Sequence, residues 1–143
     1  MQSIIGSNFP KIVKPYIEQA KNSIDIIVFD WRFYPQDPGA QAQLFNQSII
    51  NASKRGVKVR AIINNSQILT YLKSHGIQAK QLLSKKLVHC KLMIIDNKIC
   101  VVGSHNYTQN AFQMNLELSI SFEITDETQE IVTFFNNIFQ STN

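Results

Sequence analysis

Apolar side chains recur at Phe9, Ile12, Val13, Ile17 and Ala20, close to a 3.6-residue period, which predicts a first helix. Ser23 to Trp31 is β-branched and apolar and reads as a buried strand. The run Pro35-Gln36-Asp37-Pro38-Gly39 marks a loop, and Ala40 to Lys54 is helical, with Leu44, Phe45, Ile49 and Ile50 on one face. Val57 to Ile63 predicts a second strand, and Ser66 to His75 a short helix stopped by Gly76. Further on, Leu87 to Ile95 and Ile99 to Val102 form a predicted hairpin that turns at Asp96-Asn97-Lys98. Leu116, Leu118, Ile120 and Phe122 alternate with Glu117, Ser119, Ser121 and Glu123, as in a strand with its apolar face buried and its polar face wet. Thr125-Asp126-Glu127 then opens an amphipathic helix carrying Ile131, Val132, Phe134, Phe135 and Ile138.

Helices and strands alternating at this spacing indicate α/β architecture. The 143 residues suit one domain over 1–143. Apolar residues are 44% of the chain and charged residues 17%, enough for a core and too few charges for disorder. A net charge of +4 suits a polyanionic partner without naming one. Cys90 and Cys100 lie in apolar runs and read as reduced core thiols. No apolar stretch reaches a membrane-spanning length and the first residues carry no secretory pattern, so the expected location is the cytoplasm.

Composition leaves the chemistry open; the segment from His89 to Asn106 narrows it. It reads His89-x-Lys91, four residues, Asp96, six residues, then Gly103-Ser104-x-Asn106. In a strand, His89 and Lys91 share a face, with Cα atoms roughly 7 Å apart. An imidazole and an ammonium so placed can converge on one tetrahedral anion. The imidazole can attack phosphorus or move a proton, and the ammonium can bind oxygens whose charge grows in the transition state. Ser104 and Asn106 add a hydroxyl and an amide suited to phosphate oxygens. Asp96, five residues beyond Lys91, faces away in a continuous strand and sits where a turn favours aspartate, so a structural role is expected.

This spacing resembles the HKD motif of the phospholipase D superfamily, His-x-Lys-x4-Asp-x6-Gly-Ser-x-Asn, at every specified position. His75 and His105 lack a lysine two residues on, so the chain holds one motif, which is similar to the small single-motif bacterial nucleases of that superfamily. The resemblance implies a mixed β-sheet flanked by helices on both faces, and a homodimer that assembles one active site across a two-fold axis. It implies metal-independent phosphodiester hydrolysis through a phosphohistidine, with His89, Lys91, Ser104 and Asn106 of both chains around the phosphate and no cofactor or metal. It also implies that Glu117, eleven positions after Asn106, orients the active-site histidine. An ordinary polar residue on a half-exposed strand is the alternative.

Around the motif, Trp31 and Arg32 end the first strand and are candidates for stacking on a base and pairing with a phosphate, or simply for packing on the body. Lys54, Arg55, Lys58, Arg60, Lys80, Lys85 and Lys86 are candidates for a nucleic-acid track or for scattered solvated charges. His105 is expected to be non-catalytic. Three functions compete: an endonuclease, with DNA expected over RNA; a phospholipid hydrolase of the cardiolipin type; and a non-catalytic nucleic-acid-binding module. The acidic residues Asp126, Glu127 and Glu130 on the last helix suit an anionic membrane poorly, so no stable membrane association is expected.

Overall fold

The computed structural model describes residues 1–82 and 86–142. Seven strands form one mixed sheet: β1 (Gln2–Ile5), β2 (Ser23–Val28), β3 (Lys58–Ile63), β4 (Gln78–Gln81), β5 (Leu92–Ile95), β6 (Ile99–Gly103) and β7 (Leu118–Glu123). Their order is β1-β7-β6-β5-β2-β3-β4. The β2–β3 and β3–β4 pairs are parallel; all the others are antiparallel. Five helices accompany them: α1 (Phe9–Gln19), α2 (Gln41–Lys54), α3 (Leu69–Ser74), α4 (Gln109–Gln113) and α5 (Glu130–Ser141).

Each face of the sheet has its own core. On one, α1 lays down Phe9, Val13 and Ile17, and α2 lays down Phe45 and Ile49, against Ile24, Ile26 and Val59. These helix positions recur every four residues and so form one apolar stripe on each helix. On the other face, Val132, Phe135 and Phe139 of α5 cover Ile27, Ile62, Leu92, Ile94 and Cys100. Strand β2 lies between the two cores, which explains its nearly unbroken apolar run.

The exception in β2 is Asp25, which is buried and holds Arg60 of β3 by two bonds of 2.7 and 2.9 Å. Arg60 also donates to Asn136 Oδ1 and lies against the rings of Phe135 and Phe139. Lys80 of β4 sits over Phe139 and donates to its carbonyl oxygen. Two cations of the parallel half therefore dock α5, a use of buried charge that depends on every partner being in place. Arg55 donates to the carbonyls of Ile17 and Ala20. Arg55, Arg60 and Lys80 thus serve the body rather than a nucleic-acid track, and Lys85 lies outside the described residues.

Four expectations are corrected. The hairpin's first strand begins at Leu92, so His89 and Lys91 lie on an approach segment beside the ladder's end. Strands β1 and β4 escape the pattern because QSII and QAKQ are short and partly polar, and both occupy sheet edges. In β7 the faces are reversed: Ser119 and Ser121 are buried, whereas Leu118 is 57% exposed and Leu116 fully so. Backbone crowding requires small side chains there. A Cβ on Gly103 would meet Ser119 Cα and the Leu118 carbonyl, so β6 and β7 approach with no room for bulk between them. Cys90, expected in the core, is exposed; Cys100 is buried, which pushes its thiol up to about 11.

Candidate functional site

The chain reaches the site from four directions. The approach to β5 brings His89 and Lys91, with Val88 buried beneath as an anchor. The end of β6 brings Ser104 and Asn106; the start of β7, Glu117; and the exit of β2, Phe29 to Arg32. The ladder ties the first two together, since Gly103 N–H donates to the Lys91 carbonyl at 3.3 Å. The β2 exit is tied to the segment after β6 by a parallel bridge between Trp31 and Tyr107, with Tyr107 N–H on the Asp30 carbonyl.

His89 is exposed, and Lys91 Nζ stands 3.5 Å from both of its ring nitrogens. Among the described residues, no carboxylate forms an ion pair with either. The Phe29 ring touches both, its centroid 5.2 Å from that of the imidazole and 5.6 Å from the ammonium. Asn106 Oδ1 accepts from the Asp30 backbone N–H at 3.0 Å. That bond fixes the amide, whose nitrogen has no partner among the described residues and so is free to donate.

Ser104 differs from the expectation of a free hydroxyl. Its Oγ donates to Glu117 Oε1 at 2.5 Å and accepts from Leu118 N–H at 2.9 Å. Glu117 also accepts from Asn115 Nδ2. Within one chain Glu117 therefore orients Ser104 and Asn115; the role implied by resemblance, orienting the active-site histidine, belongs to a site formed by two chains. Asp96 lies away from the phosphate-binding groups: its carboxylate accepts from the backbone N–H groups of Lys21, Asn22 and Ser23. Partial burial pushes its pKa up, but those three N–H groups and nearby Lys98 more than offset this and hold it below the ordinary value. Asp96 and Asn97 both adopt left-handed backbone at the turn, where a short polar side chain is favoured.

Trp31 requires a second correction. It is fully buried, donates from Nε1 to Asn46 Oδ1 at 2.8 Å, and packs on Phe33 and Tyr107. It cannot stack on a base; it fixes the β2 exit. Arg32 is largely exposed and pairs with Asp30 at 3.1 Å. It opens onto a cleft of about 570 Å³ shared by Phe29, Phe33, Asn64, Asn65 and Gln67. On the other side of the motif, His89 borders an apolar hollow of about 400 Å³ walled by Ile27, Leu87, Phe134 and Ile138. His105 is buried, as a non-catalytic role requires. The sequence reading passed over Phe29 and Asp30. The available signal was their place at the carboxyl end of a strand in the parallel half, where ligands gather in open α/β sheets.

Comparison with known proteins places this geometry in context. The family described as cardiolipin synthase, PLD-like domain matches residues 13–140. The chain is 32% identical over 119 residues to a phospholipase D of Rickettsia felis, covering 79% of this chain and 55% of that protein. It is 31% identical over 106 residues to the 5′-3′ exonuclease PLD3 of Xenopus laevis, covering 63% of this chain but 22% of that one. The chain thus spans about half the length of the first relative and less of the second. Among solved structures, Nuc of Salmonella typhimurium, described as a phospholipase D family member, superimposes with a TM-score of 0.79 at 20% identity, covering 99% of this chain and 96% of that one.

Proposed function

The chain belongs to the phospholipase D superfamily, and from that premise we propose that it is a phosphodiesterase acting on nucleic acid, most simply an endonuclease on DNA. The observation that carries the reading is the exposed His89 imidazole with the Lys91 ammonium 3.5 Å away and no carboxylate paired to either among the described residues. Such a pair is arranged to meet an anion. The cleft that Arg32, Asn64, Asn65 and Gln67 share with Phe29 and Phe33 adjoins it, and its polar side chains suit phosphate and base edges.

In the proposed reaction two chains meet so that both histidines face one phosphate. A neutral His89 attacks phosphorus and forms a phosphohistidine, while the protonated His89 of the partner subunit gives its proton to the leaving oxygen. That second histidine then takes a proton from water, which displaces the first and releases a phosphomonoester. Lys91 and the Asn106 amide hold the phosphate oxygens. The reaction calls for no metal, because histidine is the nucleophile and lysine supplies the positive charge. The nearby carboxylates are each engaged elsewhere: Asp96 on backbone N–H groups, Glu117 on Ser104 and Asn115, Asp30 on Arg32.

Support for pairing comes from an apolar surface beside the motif. Ile5 and Leu118 are paired across β1 and β7 and both are exposed, with Met114 and Leu116 exposed just ahead of them. Leu118 N–H is bonded to Ser104, so this surface adjoins the site. Exposed apolar patches of this kind mark contact surfaces. The second reading, a phospholipid hydrolase, is favoured by the apolar hollow next to His89. Among the described residues no helix is long and apolar enough to cross a membrane. The deciding experiment compares cleavage of single- and double-stranded DNA and RNA in millimolar EDTA with hydrolysis of cardiolipin vesicles. DNA cleavage that survives EDTA supports the proposal. Activity confined to the vesicles, or lost on chelation and restored by magnesium, rejects it.

A further inference from the structure

The cleft beside the motif is not charged like a site built for phosphate alone. It opens at the carboxyl ends of β2 and β3, where the parallel register, continued past Val28 and Ile63, sets Phe29 beside Asn64 and Asp30 beside Asn65. Its charged side chains answer one another, since Arg32 Nε lies 3.1 Å from Asp30 Oδ1. The other polar side chains, Asn64, Asn65 and Gln67, are neutral amides, each with donors and an acceptor. The rings of Phe29 and Phe33 supply apolar wall. Phe33 is held by Trp31 and Tyr71, with ring centroids 5.6 and 4.5 Å away, so that wall is fixed before any ligand arrives. Phe29 also meets His89, its centroid 5.2 Å from that of the imidazole, so the cleft begins one ring away from the reacting group. The volume of about 570 Å³ falls within the range of small-ligand sites, about 300–1,000 Å³.

We propose that this cleft is a nucleobase subsite: the base next to the cleaved phosphate enters it, with its face toward Phe29 and Phe33 and its hydrogen-bonding edge toward Asn64, Asn65 and Gln67. Balanced charge, aromatic walls and amide edges suit a flat, uncharged ring whose rim carries donors and acceptors. Asn65 is the specificity-determining residue. Its Nδ2 donates to Gln67 Oε1 at 3.2 Å, while its Oδ1 is closed off from solvent by its own chain and meets no donor among the described residues. A turn of this amide toward a base in the cleft gives that oxygen the donor it lacks. The cleft lies on the β3 side of the motif, and the apolar surface proposed for pairing lies at β1 and β7, at the other end of the strand order. Each chain of a pair therefore keeps its own cleft and reads a base with its own residues.

This inference rests on the nucleic-acid reading, and its test separates the base from the diester. Two DNA tetranucleotides of one sequence are compared, the second carrying tetrahydrofuran abasic residues on both sides of the central phosphate. The wild-type chain is expected to cleave the central phosphate of the first about tenfold faster in kcat/KM, the loss expected when one base contact is removed. Asn65→Ala is expected to narrow that ratio to about twofold or less. Both rates come from one preparation, so any loss of folded protein cancels. Should Asn65→Ala fail to fold, Asn65→Asp keeps the size and exchanges a donor for an acceptor, and the same narrowing is expected. A wild-type ratio below about threefold, or a ratio that survives in the variant, overturns the inference and leaves the phosphodiesterase reading standing. So does a wild-type chain that cleaves neither tetranucleotide but hydrolyses bis(p-nitrophenyl) phosphate. A wild-type chain that cleaves no diester at all overturns both.

Discussion

Two histidines flank the β5–β6 hairpin in opposite circumstances. The strand register, carried past Leu92 and Val102, sets His89 and His105 across from one another. His105 is 1% exposed and lies stacked on Phe9. Its Nε2 meets the Gly6 carbonyl at 2.8 Å, and a carbonyl only accepts, so Nε2 carries the proton and Nδ1 accepts from the Ser119 hydroxyl at 2.7 Å. Both nitrogens of His105 are occupied. His89 is exposed and, among the described residues, its nitrogens face only a lysine. The same residue type is thus a structural strut in one place and a candidate nucleophile in the other. The difference lies in the partners supplied: a satisfied imidazole rigidifies the fold, and an unsatisfied one next to a cation is left for substrate.

The largest expected effect tests that contrast directly. His89→Ala and Lys91→Ala are each expected to cut diester turnover by at least about a thousandfold while leaving the unfolding midpoint within a degree or two of wild type. His105→Ala is expected to do the reverse, costing about 3 kcal/mol of stability through an emptied ring site and an orphaned Gly6 carbonyl. Chemical denaturation beside turnover, on the same preparations, separates the two. A destabilised His89→Ala, or an active-site-dead but fully stable His105→Ala, would reverse the assignment.

A smaller effect sharpens the claim that the exposed histidine works with its counterpart in a second chain. When wild-type and His89→Ala chains are refolded together in equal amounts with random pairing, about one quarter of the dimers carry two intact histidines. Activity at constant total protein is therefore expected to fall to about one quarter. A value near one half, with exchange of chains confirmed, would show that each chain works alone. Smaller again is Asp96→Ala, which strips the acceptor from three backbone N–H groups at the entry to β2. The site is partly solvated, so water replaces some of what is lost; the expected cost is about 1 kcal/mol, with turnover of the folded enzyme kept. Intact stability with abolished turnover would make Asp96 a participant in the chemistry.

How much of this was legible in the sequence depends on the range of the interactions that set each feature. The α1 stripe, the Phe45, Ile49 and Ile50 part of the α2 stripe and the turn of the β5–β6 hairpin follow from periods and turn residues within a few positions, and the structure keeps them, while Leu44 is exposed and the hairpin's first strand is shorter than predicted. The motif is legible for the same reason: His89, Lys91, Ser104 and Asn106 lie on one hairpin and its flanks. Features set by partners far along the chain were not legible. The edge strands β1 and β4 exist because β7 and β3 offer them a ladder. The buried side of β7 is its serine side because Gly103 and His105 crowd that face. Trp31 looks like a base-stacking platform until Asn46 and Tyr107 enclose it. Phe29 was passed over because its significance lies entirely across the sheet, at residues 89 and 91.

The smallest expected effect concerns protons and comes from the buried histidine. Burial strips water from the His105 imidazolium and drives its pKa below the ordinary 6.5; the Gly6 carbonyl and the Glu117 charge pull the other way without overcoming it. The unfolded chain therefore binds a proton at position 105 at higher pH than the folded chain does. Stability rises with pH wherever the unfolded state holds more protons, so His105 contributes fully above about pH 6.5, and its contribution declines as pH falls below that toward the folded pKa. Protonating Nδ1 also removes the acceptor for the Ser119 hydroxyl, so the loss has a structural locus. Unfolding midpoints measured at pH 7.5, 6.5, 5.5 and 5.0 are expected to fall progressively over the last three. His105→Gln keeps hydrogen-bonding capacity without a titrating ring, so it is expected to start lower and to lose less over the same range. Parallel curves for the two proteins would mean that another group carries the acid sensitivity and that His105 is not held neutral by its burial.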